Sequence, residues 1–170
     1  MCKAEGVSMF DISVIQQGSK EDIYKGIAEF SAGLFFEERD AVANMANLSS
    51  LLYNILPDVN WAGFYIFKES MLVLGPFQGK PACIRIGLGK GVCGNAAATL
   101  ETQLVKDVNA FPGHIACDGD TNSEIVVPMV KEGQLIGVLD IDSPKSERFD
   151  EIDQKNIEIL VDHLMLATDF

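Results

Sequence analysis

The sequence predicts an α+β fold: a central, mostly antiparallel sheet of about six strands flanked by N-terminal and C-terminal helices. Three observations carry this. Apolar residues recur at helical spacing near both ends of the chain. They change to short aromatic and β-branched runs in the middle, and turn formers punctuate those runs.

Each element follows from its residues. Ile23, Ile27, Phe30 and Leu34 form one helical stripe, and Val42, Met45, Leu48, Leu52 and Ile55 form a second that stops before Pro57. Helices are therefore expected within 19–56, after a partly flexible N-terminal segment over 1–18. NWAGFYIF (60–67), MLVLGPF (71–77) and ACIRI (82–86) read as a three-strand meander. GLGKGVCGNAAATL reads as a glycine-rich loop opening a short helix. A brief strand over 103–106 leads into the long loop DVNAFPGHIACDGDTN, and the strands SEIVVPMV and QLIGVLDID follow, joined by the turn KEG. The sheet and its loops thus fill 60–143. A closing helix over 149–168 carries Ile152, Ile157, Leu160, Val161 and Leu164 on one side. With no internal repeat or linker, 1–170 reads as one domain.

Composition narrows the function. The formal net charge is −12 over 170 residues, with no cluster of Lys and Arg. Such a surface repels phosphate backbones and anionic lipid, so nucleic acid and membranes are excluded as partners. No apolar run reaches the roughly 20 residues that cross a bilayer. The start, MCKAEGVSMFD, lacks a basic region followed by an apolar stretch, so a cytoplasmic location is expected. In a reducing compartment the four cysteines would serve transient redox chemistry more readily than stapling.

Strand alternation then sorts the candidates. In ACIRI, Ala82, Ile84 and Ile86 should face the core while Cys83 and Arg85 face away. Trp61 and Tyr65 share a face, as core or as pocket wall. Asp140 and Asp142 also share a face, roughly 7 Å apart along their strand. If the last two strands form a hairpin, Glu124 lies across from them. Three converging carboxylates need a cation, a shared proton or hydrogen-bond donors. Cys117 lies in the turn-rich loop FPGHIACDGD, with His114 three residues before it. Cys83, Cys93 and Cys117 offer no close pair of the C-x₂-C kind, so no metal is expected. Cys93 should begin a helix, where the dipole lowers a thiol's pKa, whereas Asp118 and Asp120 follow Cys117. Residue physics alone would make Cys93 the nucleophile. Cys2, near the chain start, reads as a bystander.

The motifs NWAGFY, LGPFQGKPACIRI, GKGVCG, FPGHIACD, SEIVVP and GVLDIDS, with ERFDEID opening the last helix, resemble the free methionine-(R)-sulfoxide reductases. These are enzymes built on a GAF domain, a fold also used by non-catalytic ligand sensors. The resemblance implies a GAF fold and thiol-dependent reduction of free methionine-(R)-sulfoxide. It implies Cys117 as nucleophile, Cys83 as resolving thiol and Cys93 as auxiliary thiol or alternative resolver. Trp61, Tyr65, Glu124, Asp140 and Asp142 would hold the substrate. No cofactor would be bound, thioredoxin would serve as external reductant, and a homodimer would fit the pairing habits of GAF domains.

Overall fold

The computed structural model describes residue 12 and residues 15–113 and 119–170. Most of the N-terminal segment, with Cys2, and the tip of the long loop, with His114 and Cys117, lie outside the described residues. The elements run α1 (Lys20–Leu34), α2 (Ala41–Ile55), β1 (Trp61–Lys68), β2 (Met71–Gly79), β3 (Arg85–Gly87), α3 (Gly91–Thr99), β4 (Gln103–Val105), β5 (Ser123–Lys131), β6 (Gln134–Ser143) and α4 (Glu151–Ala167). A single 3-10 turn, Val108–Ala110, follows β4. Among the described residues no helix is long and apolar enough to cross a membrane.

Polar side chains start the helices. Ser19 and Asp22 form a reciprocal capping box at α1, and Asp150 and Asp153 form another at α4. Asp40 accepts from the Ala43 N–H at the start of α2. Each such cap satisfies donors the first turn leaves orphaned.

The six strands make one antiparallel sheet in the order β3-β2-β1-β6-β5-β4. Its two faces bury two separate apolar clusters. Ala62, Phe64, Ile125, Val127, Leu139 and Ile141 pack with the stripes of α1, α2 and α4. Trp61, Tyr65, Val126 and Val138 pack on the other side with Ile86 and with Val92, Cys93 and Ala96 of α3. The helices at the two ends of the chain therefore cover one face together, and α3 covers the other.

One expected strand is shorter than its sequence suggests. β3 begins at Arg85, so the alternation expected through ACIRI does not hold before it. Ile84 is 72% exposed rather than in the core. Ala82 and Cys83 instead both pack against the second cluster. The physical reason lies just upstream. Gly79 ends β2 with φ +125°, and Pro81 supplies no N–H, so the chain turns away there and pairs with β2 again only from Arg85.

Candidate functional site

Register places the site. Trp61 pairs with Asp142, and Gly63 pairs with Asp140, across β1 and β6. Glu124 pairs with Asp142 across β5 and β6. With a period of two, Trp61, Tyr65, Glu124, Asp140 and Asp142 all project to the α3 side. They line one cavity of about 40 Å³ with Cys93. The convergence of three carboxylates expected from the hairpin is what the sheet delivers.

The thiol reaches this cluster from the helix above. α3 can approach closely because a Cβ at Gly94 would collide with the Gly87 carbonyl oxygen. Cys93 Sγ lies 3.2 Å from Asp140 Oδ2, to which it donates, and 3.9 Å from Glu124 Oε1. Glu124 and Asp140 are each only 6% exposed. Asp140 Oδ1 has no hydrogen-bond partner among the described residues.

Burial and like charge set the protonation states. Burial, and then the neighbouring Asp140 and Asp142, push the Glu124 carboxyl well above the usual range. Burial lifts Asp140 to about 6, with hydrogen bonds from Cys93 and Glu124 offsetting part of the rise. The pair thus shares protons, Glu124 holding one while Asp140 accepts. Burial and the charges of Asp140 and Glu124 also push the Cys93 thiol up. This overturns the expectation that helix position makes Cys93 the nucleophile. A helix end contributes on the order of 1 kcal/mol, whereas desolvation beside two carboxylates shifts a thiol far more. Cys93 is a protonated hydrogen-bond donor.

The aromatic wall is similarly fixed. Trp61 stacks on Tyr65 with ring centroids 5.9 Å apart, and on Phe77 at 5.3 Å. Trp61 Nε1 donates to the Lys80 carbonyl at 3.1 Å. Burial and the surrounding acids raise the Tyr65 hydroxyl well above its ordinary value, so it stays a neutral donor.

Cys83 is disulfide-bonded, while Cys93 is a buried free thiol and so not its partner. Cys117 lies outside the described residues. Among the lining residues that sequence reasoning missed, three carry polar side chains: Lys80, Lys90 and Thr121. One signal was available: between Ser70 and Leu100 the only charged residues are Lys80, Arg85 and Lys90, in a chain of net charge −12.

Comparison with known proteins places this geometry in a family. The GAF-domain model matches residues 43–169. Protein YtsP of Bacillus subtilis is 56% identical, over 82% of this chain and 87% of its own length. The free methionine-R-sulfoxide reductase of Escherichia coli is 49% identical, over 88% and 92% respectively. The solved structure of the free methionine-R-sulfoxide reductase from Neisseria meningitidis, in complex with its substrate, superposes with a TM-score of 0.86 at 40% identity. It covers 89% of this chain and 91% of its own. With this fold, these relatives and a thiol–carboxylate pocket on the sheet, the chain belongs to the GAF-domain family and, within it, to the free methionine-R-sulfoxide reductases.

Proposed function

We propose that this oxidoreductase reduces free L-methionine-(R)-sulfoxide to L-methionine, with Cys117 as nucleophile and Cys83 as resolving thiol. The observation that carries the reading is a carboxylate group, the buried Glu124 and Asp140 with the half-buried Asp142, facing a pocket walled by Trp61 and Tyr65. Such a group calls for a cation, and the ammonium of a free amino acid supplies one. A residue inside a peptide has no ammonium of its own, so the same site rejects protein-bound methionine sulfoxide. The first-turn backbone of α3 lines the pocket at Gly91 and Val92, with no side chain capping that helix. Its N–H groups suit the substrate carboxylate.

The chemistry runs in three balanced steps. The Cys117 thiolate attacks the sulfoxide sulfur, and the sulfoxide oxygen takes a proton from the neutral Glu124 carboxyl. The oxygen ends on Cys117 as a sulfenic acid and methionine leaves, its sulfur reduced by two electrons. The Cys83 thiol then displaces the sulfenic oxygen as water, forming a Cys83–Cys117 disulfide. A thioredoxin dithiol reduces that bond by exchange and is itself oxidised. Such recycling belongs to the cytoplasm. The disulfide state of Cys83 and the free, protonated state of Cys93 favour Cys83 over Cys93 as resolver.

The test couples the protein to thioredoxin, thioredoxin reductase and NADPH, and offers free R, free S and peptide-bound methionine sulfoxide. NADPH loss with the free R form alone is expected. Cys117→Ser should abolish even a single turnover, and Cys83→Ser should keep one turnover per molecule. Equal use of the peptide, or no turnover with any form, would overturn the reading. In the latter case a GAF-type ligand sensor is left.

A further inference from the structure

The thiol and two carboxylates of the pocket do not form only an ammonium site. Among the described residues, Cys93 Sγ, one Glu124 carboxylate oxygen and one Asp140 carboxylate oxygen all lie within 4.8 Å of one another. A tetrahedral ion with a bond of ~2.3 Å to sulfur and ~2.1 Å to oxygen sets its sulfur–oxygen edges at roughly 3.6 Å. The two measured edges, 3.2 Å to Asp140 and 3.9 Å to Glu124, straddle that length. The donors need little adjustment to close on one point.

A second observation points to a ligand. Asp140, more than nine-tenths buried, lines the pocket, and its Oδ1 has no hydrogen-bond partner among the described residues. Leaving such an oxygen unmet is costly unless something binds there. The cavity of about 40 Å³ has room for an ion and a water, since a water needs only about 10–15 Å³ of such volume.

We propose that Cys93, Glu124 and Asp140 form a binding site for a borderline-soft divalent cation of the zinc class, with the fourth position open to water. The donor set selects the class. A thiolate with two carboxylates suits zinc-like ions, whereas calcium and magnesium require six or more oxygen ligands. Binding forms one metal–sulfur and two metal–oxygen bonds, and the thiol and carboxyl protons leave to solvent without any redox change. The ion and the substrate ammonium claim the same carboxylates, so each excludes the other. That exclusion rests on the reductase reading, and the ion makes the site reversibly inhibitable by zinc-class metals.

The test uses the full chain carrying Cys2→Ser, Cys83→Ser and Cys117→Ser, which leaves Cys93 as the remaining thiol of four. Cadmium is titrated in, and its ultraviolet thiolate-to-metal band is followed. A band saturating at one ion per chain is expected, displaced by zinc and lost when Cys93→Ser is added. Asp140→Asn and Glu124→Gln should each weaken binding by at least about tenfold. A folded protein with no saturable band overturns the proposal. So does a band whose affinity ignores both carboxylate variants. If the serine variant does not fold, metal retained by the oxidised wild-type protein after gel filtration is counted against Asp140→Asn; equal retention again overturns the site. Failure of the reductase reading would show separately, as no methionine formed by metal-free wild-type protein.

Discussion

Two buried carboxylates, Asp153 and Asp140, sit on opposite sides of the sheet and are treated in opposite ways. Asp153 is fully buried, yet every need it has is met. Lys20 Nζ donates to its Oδ2 at 2.7 Å, Tyr24 and Arg148 donate to its Oδ1 at 2.7 and 3.1 Å, and the Asp150 N–H completes the α4 cap. Asp140 has for company a thiol, a second buried carboxyl and, beyond them, Asp142. The first arrangement ties α1, α4 and the preceding loop together. The second leaves a negative group short of partners beside a pocket. Full compensation marks a carboxylate that holds the fold, and incomplete compensation marks one that waits for a ligand.

The contrast can be broken by substitution. Asp153→Ala should cost the most, about 3–5 kcal/mol, because it leaves the buried Arg148 guanidinium and Tyr24 hydroxyl without their acceptor. Urea unfolding measures that loss, and turnover per folded molecule should not change. Asp140→Asn should lower kcat/KM by about 100- to 1000-fold, or ~3–4 kcal/mol, yet leave a more stable protein.

The sign of that stability gain follows from linkage. The folded protein holds the Asp140 proton up to about pH 6, above the ordinary 3.8. The group's stabilising contribution is therefore complete below about pH 4 and is lost as pH rises through 6. Relative to wild type, Asp140→Asn should gain on the order of 2–3 kcal/mol between pH 4 and 8. Thermal melts across that range decide it. A variant less stable at every pH would put Asp140 in the same class as Asp153.

Smaller changes sharpen the comparison. Gly94→Ala should cost about 1–3 kcal/mol, and it should also lower kcat/KM by lifting the Cys93 thiol from Asp140. Among the described residues Arg85→Ala breaks the exposed pair with Glu69, and it should leave stability within about 0.5 kcal/mol.

Much of this was legible from residues alone, for reasons the sheet makes plain. Period-two alternation put Trp61 with Tyr65 and Asp140 with Asp142, and a hairpin around the KEG turn put Glu124 across from that pair. Alternation is a local rule that the ladder obeys, but the partner of Glu124 is not: counting from the turn pairs it with Ile141, and the register shift between Met129 and Val130 moves it to Asp142. The environment of Cys93 was not legible in the same way. Its helix docks over strands distant in sequence, and that packing, rather than its place in the first turn, governs its protonation. The strand expected through Cys83 begins only at Arg85 because the turn chemistry of Gly79 and Pro81 outweighs the β-branched Ile84 and Ile86 that suggested it. Lys80, Lys90 and Thr121 escaped notice because loop residues join a site through tertiary folding alone.

The pairing of Glu124 with Asp142 has a further consequence. The same register that sets these carboxylates together also turns Ile125, Leu139 and Ile141 to the opposite side, beneath the three long helices. A slip of one residue in β5 or β6 would send acids into the apolar interior and isoleucines into the pocket. A one-residue slip therefore cannot spare the core while it disturbs the pocket. Quality control on hydrophobic burial thereby also proofreads which face of the sheet the carboxylates occupy.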